Sequence, residues 1–372
     1  MDILMIASNY NIDGTGYHVY NLSKYLVERG HNIEIIVRGC ARIDVYQVQT
    51  EIGLIHKIRY LPVYPFHLDF HKIFVEKYIA KIKKKFDIIH AHNSNFPYIE
   101  NLEDEYVLTV HGTLFEHIKN RPIKDFHSLG LHTFSPVLIK HDRLLVKKAK
   151  KVIAVSYDVK NSIIHNYGRS DVTVVHNGVD SNFFKPNTAS DFDFEYILYT
   201  GRHSPEKGLD DLIKSASSVI KEYPKIKYII TGSGPLTNYI KKLIDTLDLQ
   251  ENVILTGRVS LSQLLRYYQN ASLYILPSLF EGLPTSLMEA MSCGLPNVST
   301  IIPSIQELAI DGKTSILVPP KNARILADET INLIENSKLR KKLGKNSRKR
   351  VVTCFSWDKI GSKIENIYNK II

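Results

Sequence analysis

The chain has 372 residues, 44% of them hydrophobic, and carries 48 Lys or Arg against 38 Asp or Glu, a formal net charge of +10. The length suits two domains, the apolar content excludes disorder as the main state, and no run approaches the roughly 18 consecutive apolar residues of a membrane-crossing helix. Three scattered cysteines, Cys40, Cys293 and Cys354, exclude a zinc ribbon or a disulfide framework and favour a reducing cytosol.

The first residues, Met1 to Ala7, lack a basic n-region and a long apolar h-region, so they read as a strand and not as a secretion signal. Short β-branched runs then alternate with helical stretches. Strands are predicted at 3–7, 33–37, 87–90, 107–110, 152–155 and 172–176, then at 196–200, 228–231, 253–256, 273–276, 297–300 and 316–318. Near-continuous apolar runs such as Tyr274-Ile275-Leu276 suit parallel strands covered on both faces. The alternation predicts an α/β protein of two doubly wound Rossmann-like domains facing a central cleft. We place the first domain at 1–185 and the second at 186–354, joined through the polar stretch around Pro186. The last segment, 355–372, reads as an amphipathic helix with Ile360, Ile364, Ile367 and Ile371 on one side, returning to the first domain.

In open parallel sheets ligands bind at the carboxyl ends of the strands, so the motifs there matter most. Asp13-Gly14-Thr15-Gly16 follows the first strand and precedes a helix predicted at 18–29. Its glycines permit close backbone approach, and a helix start offers free N–H groups to a phosphate or sugar. The full Gly-x-Gly-x-x-Gly is absent, which argues against a dinucleotide fingerprint. His90-x-His92 ends the third strand without a carboxylate or cysteine cluster nearby, so it reads as a pair shaping the cleft wall and not as a metal site. His111-Gly112 ends the next strand and points an imidazole toward the cleft mouth.

In the second half, Gly201-Arg202 and Lys207-Gly208 flank a strand–loop–helix junction. A planar Arg fork and a Lys point charge five residues apart can clamp a diphosphate. Thr231-Gly232-Ser233-Gly234 and Thr256-Gly257-Arg258 supply permissive loops, the latter with backbone groups suited to a base edge. Glu281-Gly282-Leu283-Pro284-Thr285 leads into a helix carrying Glu289, with Thr285 and Ser286 as natural N-terminal residues. Acceptor-only carboxylates at that spacing suit vicinal hydroxyls or a glycosidase pair. Asp191-Phe192-Asp193 mimics a metal-binding Asp-x-Asp but falls in the linker and reads as solvated acid.

Taken in order, Gly14-Thr15-Gly16, the 87–92 segment, His111-Gly112, Asn177-Gly178-Val179-Asp180, Arg202 with Lys207, and the Glu-x7-Glu of Glu281 and Glu289 resemble a retaining GT-B glycosyltransferase of the GT4 type (group 1). The resemblance runs over most of the chain. It implies a nucleotide-diphosphate sugar as donor substrate, with no cofactor and no metal. Arg202 and Lys207 would neutralise the diphosphate, Glu289 would accept from the ribose, and the backbone near Arg258 would read the base. Glu281 and the backbone of Gly282, Leu283, Pro284 and Thr285 would hold the sugar, with Gly234, Gly14, Thr15, Gly16 and Asn177 also on the donor and His111 at the sugar. The first domain would bind a hydroxyl acceptor: a glycan, a lipid-linked glycan or a small molecule. The loops at 39–71 and 114–136 are the acceptor-side candidates. One departure stands out: where the family often has Gly-Gly followed by Glu, this chain has Ser299-Thr300-Ile301-Ile302-Pro303, with Glu307 later. An epimerase or glycan phosphorylase on the same scaffold, or a non-catalytic nucleotide-sugar-binding protein, are the competing readings.

The charge is uneven. Residues 333–372 hold eleven Lys or Arg against three Asp or Glu. This tail, or the lysines at 81 and 83–85, could meet anionic membrane from the cytoplasmic side. Nothing in it resembles a nucleic-acid motif.

Overall fold

The computed structural model describes residues 1–10, 14–63, 66–82, 86–93, 99–102, 105–120, 123, 126–187 and 192–372. The expectations resting on Asp13, on Lys83, Lys84 and Lys85, and on Asp191 lie outside those residues. The chain divides into two compact units. The first comprises Met1–Ile118, Thr133–Gly178 and Trp357–Ile372; the second comprises Lys119–His132 and Val179–Ser356. The division thus falls at Gly178, ahead of the expected join near Lys185. Phe184 explains the difference: it is buried, its ring meets Tyr268 edge-on at 5.8 Å, and its carbonyl accepts from Ser292 Oγ at 2.6 Å, all inside the second unit.

Among the described residues the first unit holds eight strands: β1 (Asp2–Ile6), β2 (Asn32–Arg38), β3 (Val45–Thr50), β4 (Gly53–Ile58), β5 (Ile88–His92), β6 (Tyr106–Val110), β7 (Lys151–Ala154) and β8 (Val172–Val174). Their order is β3-β4-β2-β1-β5-β6-β7-β8, parallel except for the β3–β4 hairpin at the edge. The hairpin lies inside the 39–71 stretch expected to be loop. Elsewhere the predicted strands stand within a residue or two of the observed ones. The pairing Ile3↔Ile33 and Met5↔Ile35 puts these side chains on one face of the sheet. There they meet Val19, Leu22 and Leu26 of the helix Gly14–Val27, and Ile360, Ile364 and Tyr368 of the helix Trp357–Tyr368. The last helix therefore contributes to the core of the first unit.

Those two helices approach closely at Gly361, where an added Cβ would stand 2.4 Å from Tyr25 Cδ1. The Tyr25 ring is buried and its hydroxyl donates to Glu365 Oε2 at 3.2 Å, which limits how far it can move. Gly361→Ala is expected to destabilise the first unit by about 1–3 kcal/mol through overpacking. Thermal or denaturant unfolding checks this; an unchanged midpoint would contradict it.

Among the described residues the second unit holds six strands: β9 (Tyr196–Thr200), β10 (Lys227–Thr231), β11 (Val253–Gly257), β12 (Leu273–Leu276), β13 (Asn297–Thr300) and β14 (Ile316–Val318). All pair in parallel in the order β11-β10-β9-β12-β13-β14. Counted within the unit this is 3-2-1-4-5-6, the doubly wound order, and the order reverses between β9 and β12. A crevice at the carboxyl ends of β9 and β12 is what that reversal creates. In the first unit the corresponding reversal lies between β1 and β5.

The basic segment forms the helix Ser337–Cys354. Its arginines serve the fold. Arg340 donates to the Leu333 and Ile334 carbonyls, Arg348 to those of Phe184 and Ser292, and Arg350 to those of Glu307 and Leu308. The lysines Lys338, Lys341, Lys342, Lys345 and Lys349 stay exposed.

Candidate functional site

The loops after β9 and β12 are fastened to each other. Leu279 N donates to Glu206 O at 2.8 Å. Gly208 has φ +67°, and a Cβ there would stand 2.0 Å from Pro277 O, so only glycine lets the chain turn this close to the end of β12. The turn delivers Lys207 to Glu281: Lys207 Nζ donates to Glu281 Oε1 at 2.6 Å, and Ser278 Oγ donates to the same oxygen at 2.7 Å. Thr300 Oγ1 fixes Ser278 through its carbonyl. Lys207 and Glu281 were expected to hold different parts of a ligand; here they form one ion pair. An ammonium carries three protons and a carboxylate two oxygens, so the pair retains two N–H donors and the second carboxylate oxygen for a ligand. Arg202 is exposed on the same loop, and its guanidinium has no ion pair among the described residues.

Glu281-Gly282-Leu283-Pro284 runs into the helix Thr285–Ser292, whose N-cap position is Pro284, without a side-chain cap bond. Thr285 and Ser286 therefore lie inside the helix and do not cap it. The first-turn amides lack intrahelical partners, and the positive end of the helix dipole lies there. One turn further, Glu289 accepts from Tyr268 Oη at 2.9 Å. Tyr268 also bonds Thr200 Oγ1 of β9 at 2.6 Å. Burial pushes the Glu289 carboxyl up to about 7, against the opposing pull of the Tyr268 hydrogen bond. Nothing in the sequence marked Tyr268 or Ser278, because their roles depend on the register of separate strands and helices.

The other expected residues of this unit stand at the neighbouring strand ends. Gly234 N donates to Thr237 Oγ1 at 3.0 Å, and His203 N donates to Ser233 O at 3.1 Å, tying the β9 and β10 loops together. Arg258 is exposed after β11 and donates through Nε to Ser233 Oγ at 3.2 Å. Asp193 is described, but its partner in the Asp-x-Asp is not.

In the first unit, Gly14, Thr15 and Gly16 form the first residues of the helix Gly14–Val27, which starts four residues before the predicted 18. They lie at the carboxyl side of β1, beside the strand-order reversal. His92 at the end of β5 and His111 after β6 stack at 5.4 Å, with His92 Nδ1 and His111 Nε2 3.1 Å apart. His18 meets both rings edge-on, and its Nδ1 bonds Asn177 Oδ1 at 3.1 Å. Asn177, expected at a donor, thus orients His18. His90 is wholly buried, bonded to Tyr368 Oη and to Thr109 Oγ1 at 2.7 Å. It belongs to the core, and His92 is also wholly buried. Burial holds these imidazoles neutral: His18 is lowered to about 4, His90 to about 3, and His92 and His111 well below the usual histidine value.

Ring nitrogens of His18, His92 and His111 lie within 4.8 Å of one another. A tetrahedral zinc site places ligand nitrogens about 3.4 Å apart, from Zn–N bonds near 2.0–2.1 Å. With His92 Nδ1 bonded to His111 Nε2, the set is organised as a hydrogen-bonded stack. The loop carrying His111 is braced from below. Asn93 Oδ1 accepts from His111 N at 2.9 Å, and Asn93 Nδ2 donates to Gly112 O at 2.7 Å and to Asp142 Oδ1 at 3.2 Å. Asp142 Oδ2 accepts from Leu114 N and from Tyr167 Oη at 2.9 and 2.6 Å. Asn93 and Asp142 escaped sequence reading because they are far apart in the chain.

Two family models match the chain: "Glycosyltransferase Family 4" over residues 12–183 and "Glycosyl transferases group 1" over 180–350. N-acetyl-alpha-D-glucosaminyl L-malate synthase from Bacillus anthracis is 24% identical, with 97% of this chain and 95% of that protein covered. Among solved structures, sucrose-phosphate synthase from Thermosynechococcus elongatus superposes with a TM-score of 0.83 at 20% identity, covering 100% of this chain and 98% of that one. The Anabaena protein HepE in complex with UDP-glucose gives 0.76 at 18% identity, with full coverage of both chains. With both units accounted for by these models and by the GT-B fold of the solved relatives, the chain belongs to the group 1, GT4-type family of glycosyltransferases.

Proposed function

We propose that the chain moves a sugar from a nucleotide-diphosphate sugar to a hydroxyl acceptor with retention of anomeric configuration, without a metal ion. The observation that carries this reading is the cation set at the β9/β12 reversal: Arg202, without an ion pair among the described residues, and Lys207 with two donors left beside the Glu281 carboxylate. Two cations and a helix N-terminus supply positive charge where a diphosphate leaving group gains negative charge. The complex of HepE with UDP-glucose supports a donor of this class.

In this reading the acceptor oxygen bonds to the anomeric carbon as the bond from that carbon to the β-phosphate oxygen breaks. The departing phosphate oxygen takes the acceptor proton on the same face of the sugar. Arg202 and Lys207 stabilise the departing charge, Glu281 and the backbone N–H groups of Gly282, Leu283 and Thr285 orient the sugar, and Glu289 accepts from the ribose hydroxyls. His111, neutral on its stack, offers a ring nitrogen to the sugar. Gly14 to Gly16 lend amides to the phosphate. The protein works in the cytoplasm on an acceptor held by the first unit.

The test is a panel of nucleotide-diphosphate sugars incubated with acceptor mixtures in the presence of a chelator. Release of nucleoside diphosphate with an anomerically retained product supports the proposal. Inversion, or a strict need for added divalent metal, would refute the corresponding part. Donor binding should also follow the Glu289 carboxyl. Its raised value means the carboxylate is protonated below about pH 7 and loses acceptor capacity, so nucleoside-diphosphate affinity should be highest above pH 7 and fall as pH drops through it. Tyr268→Phe removes a hydrogen bond that favours the ionised form and should move this profile to higher pH. Titration calorimetry across pH reads both, and a flat profile between pH 6 and 8 would contradict the role given to Glu289.

A further inference from the structure

The helix His67–Ile82 buries one face, with Leu68, His71, Val75, Ile79 and Ile82 in the first unit. Its opposite face is unusual for a water-facing surface. Phe66, one residue before the helix, Phe70 and Ile73 are 55%, 38% and 61% exposed. Lys77 and Lys81 continue the same line. At 100° per residue these five positions span an arc of about 80°, so they form one stripe, apolar at its start and basic at its end.

The charges beside the stripe are arranged unevenly. Both acidic residues of the helix are engaged from its flanks: Asp69 pairs with His141 Nε2 at 3.3 Å, and Glu76 pairs with Lys72 at 3.8 Å and accepts from Glu100 N at 3.0 Å. Lys77 and Lys81 have no ion pair among the described residues. Both carboxylates of the helix thus have their partners off the stripe, while the lysines on it have no ion pair among the described residues. The richer basic run, in the helix Ser337–Cys354, is different. Its arginines turn onto backbone carbonyls, and Val352, 37% exposed, is the one large exposed hydrophobic on it. Aromatic and aliphatic side chains in line with lysines that lack an ion pair are what a helix lying in a lipid interface presents: rings at the acyl boundary and ammonium groups at anionic headgroups.

We infer that the exposed stripe of Phe66, Phe70, Ile73, Lys77 and Lys81 docks the first unit onto an anionic lipid bilayer. The helix lies in the plane of the interface and the basic helix Ser337–Cys354 is not required. This goes beyond the proposed sugar transfer and does not depend on it.

The test is flotation of the full chain with vesicles of phosphatidylcholine alone and of phosphatidylcholine and phosphatidylglycerol in equal parts. Binding is expected to the anionic vesicles, falling as salt rises. Phe70→Ser with Ile73→Ser should reduce partitioning at least tenfold, through lost apolar burial. Lys77→Gln with Lys81→Gln should reduce it about fivefold per lysine. Replacing the exposed Lys341, Lys342 and Lys345 by Gln should leave most of the binding. These positions are on the surface, and circular dichroism with nucleoside-diphosphate binding confirms that each variant is folded. No vesicle binding by the folded wild type, binding unaffected by the stripe variants, or binding abolished by the 341–345 variant would each overturn the inference. So would recruitment of a protein partner by the stripe without any lipid binding. Donor turnover on a soluble acceptor should be unchanged in the Lys77→Gln, Lys81→Gln variant, whose positions lie outside the 39–71 acceptor-side stretch, so failure of docking and failure of the transferase reading are separately visible.

Discussion

Lys207→Ala is expected to lower turnover by about 10²–10³, the scale of losing one charge-stabilising donor at a reacting group. The residue sits at the reversal point of the second sheet, and its ammonium is already oriented by Glu281 at 2.6 Å. Its removal also leaves a carboxylate that is 8% exposed with only the Ser278 hydroxyl on Oε1, so stability should fall by about 1–3 kcal/mol as well. The two effects separate by comparison with Arg202→Ala. Arg202 is exposed and has no ion pair among the described residues. Its loss should weaken nucleoside-diphosphate binding and turnover with the unfolding midpoint unchanged. Arg202→Lys should restore only part of the activity, because an ammonium cannot reproduce a two-pronged contact with a phosphate. Full activity in both alanine variants, measured as released nucleoside diphosphate, would remove the basis for placing a diphosphate here.

The second large effect concerns acid. His18, His90 and His92 are buried and neutral, with values of about 4 for His18, about 3 for His90, and well below the usual for His92, each set first by burial. In the unfolded chain the same imidazoles take up protons near pH 6.5. Between that pH and about 4 the unfolded state therefore binds more protons than the folded one, and stability falls as pH falls. Above pH 6.5 both states are neutral and the effect is absent. Each histidine contributes up to about 1.4 kcal/mol per pH unit within its window. Three acting together make acid unfolding of the first unit steep. Denaturant unfolding at a series of pH values reads the slope as a proton difference. His90→Phe should reduce that difference by about one proton; the same slope in this variant would show that His90 titrates freely when folded.

The doubly wound design was legible because parallel strands buried on both faces leave continuous apolar runs, as in Tyr274-Ile275-Leu276, and almost every such run became a strand. The β3–β4 hairpin was missed because it is an edge element with one wet face. In Val45-Tyr46-Gln47-Val48-Gln49-Thr50 the exposed positions are Gln47 and Gln49, an alternation that a search for apolar runs passes over. At the candidate site, residue types and spacing pointed to Arg202, Lys207, Glu281 and Glu289. Their mutual bonding was not visible, because the Lys207–Glu281 pair depends on how closely Gly208 approaches the end of β12. The same limit applies to the histidines. His92 and His111 were legible as strand-end residues, whereas His18 joins them only through the helix Gly14–Val27 and the Asn177 amide.

The helix Trp357–Tyr368 supplies Trp357, Ile360, Ile364 and Tyr368 to a core whose other members begin at Ile3. Vectorial synthesis therefore delivers the pieces of the first unit at opposite times. The ribosome must translate the entire second unit before the closing helix emerges, so the second unit can reach its native state while the first still exposes the apolar surface around Val19, Leu22 and Tyr25. Nascent chains stalled before Trp357 should be selectively protease-sensitive in their N-terminal half, and holdase chaperones should engage that half for longer.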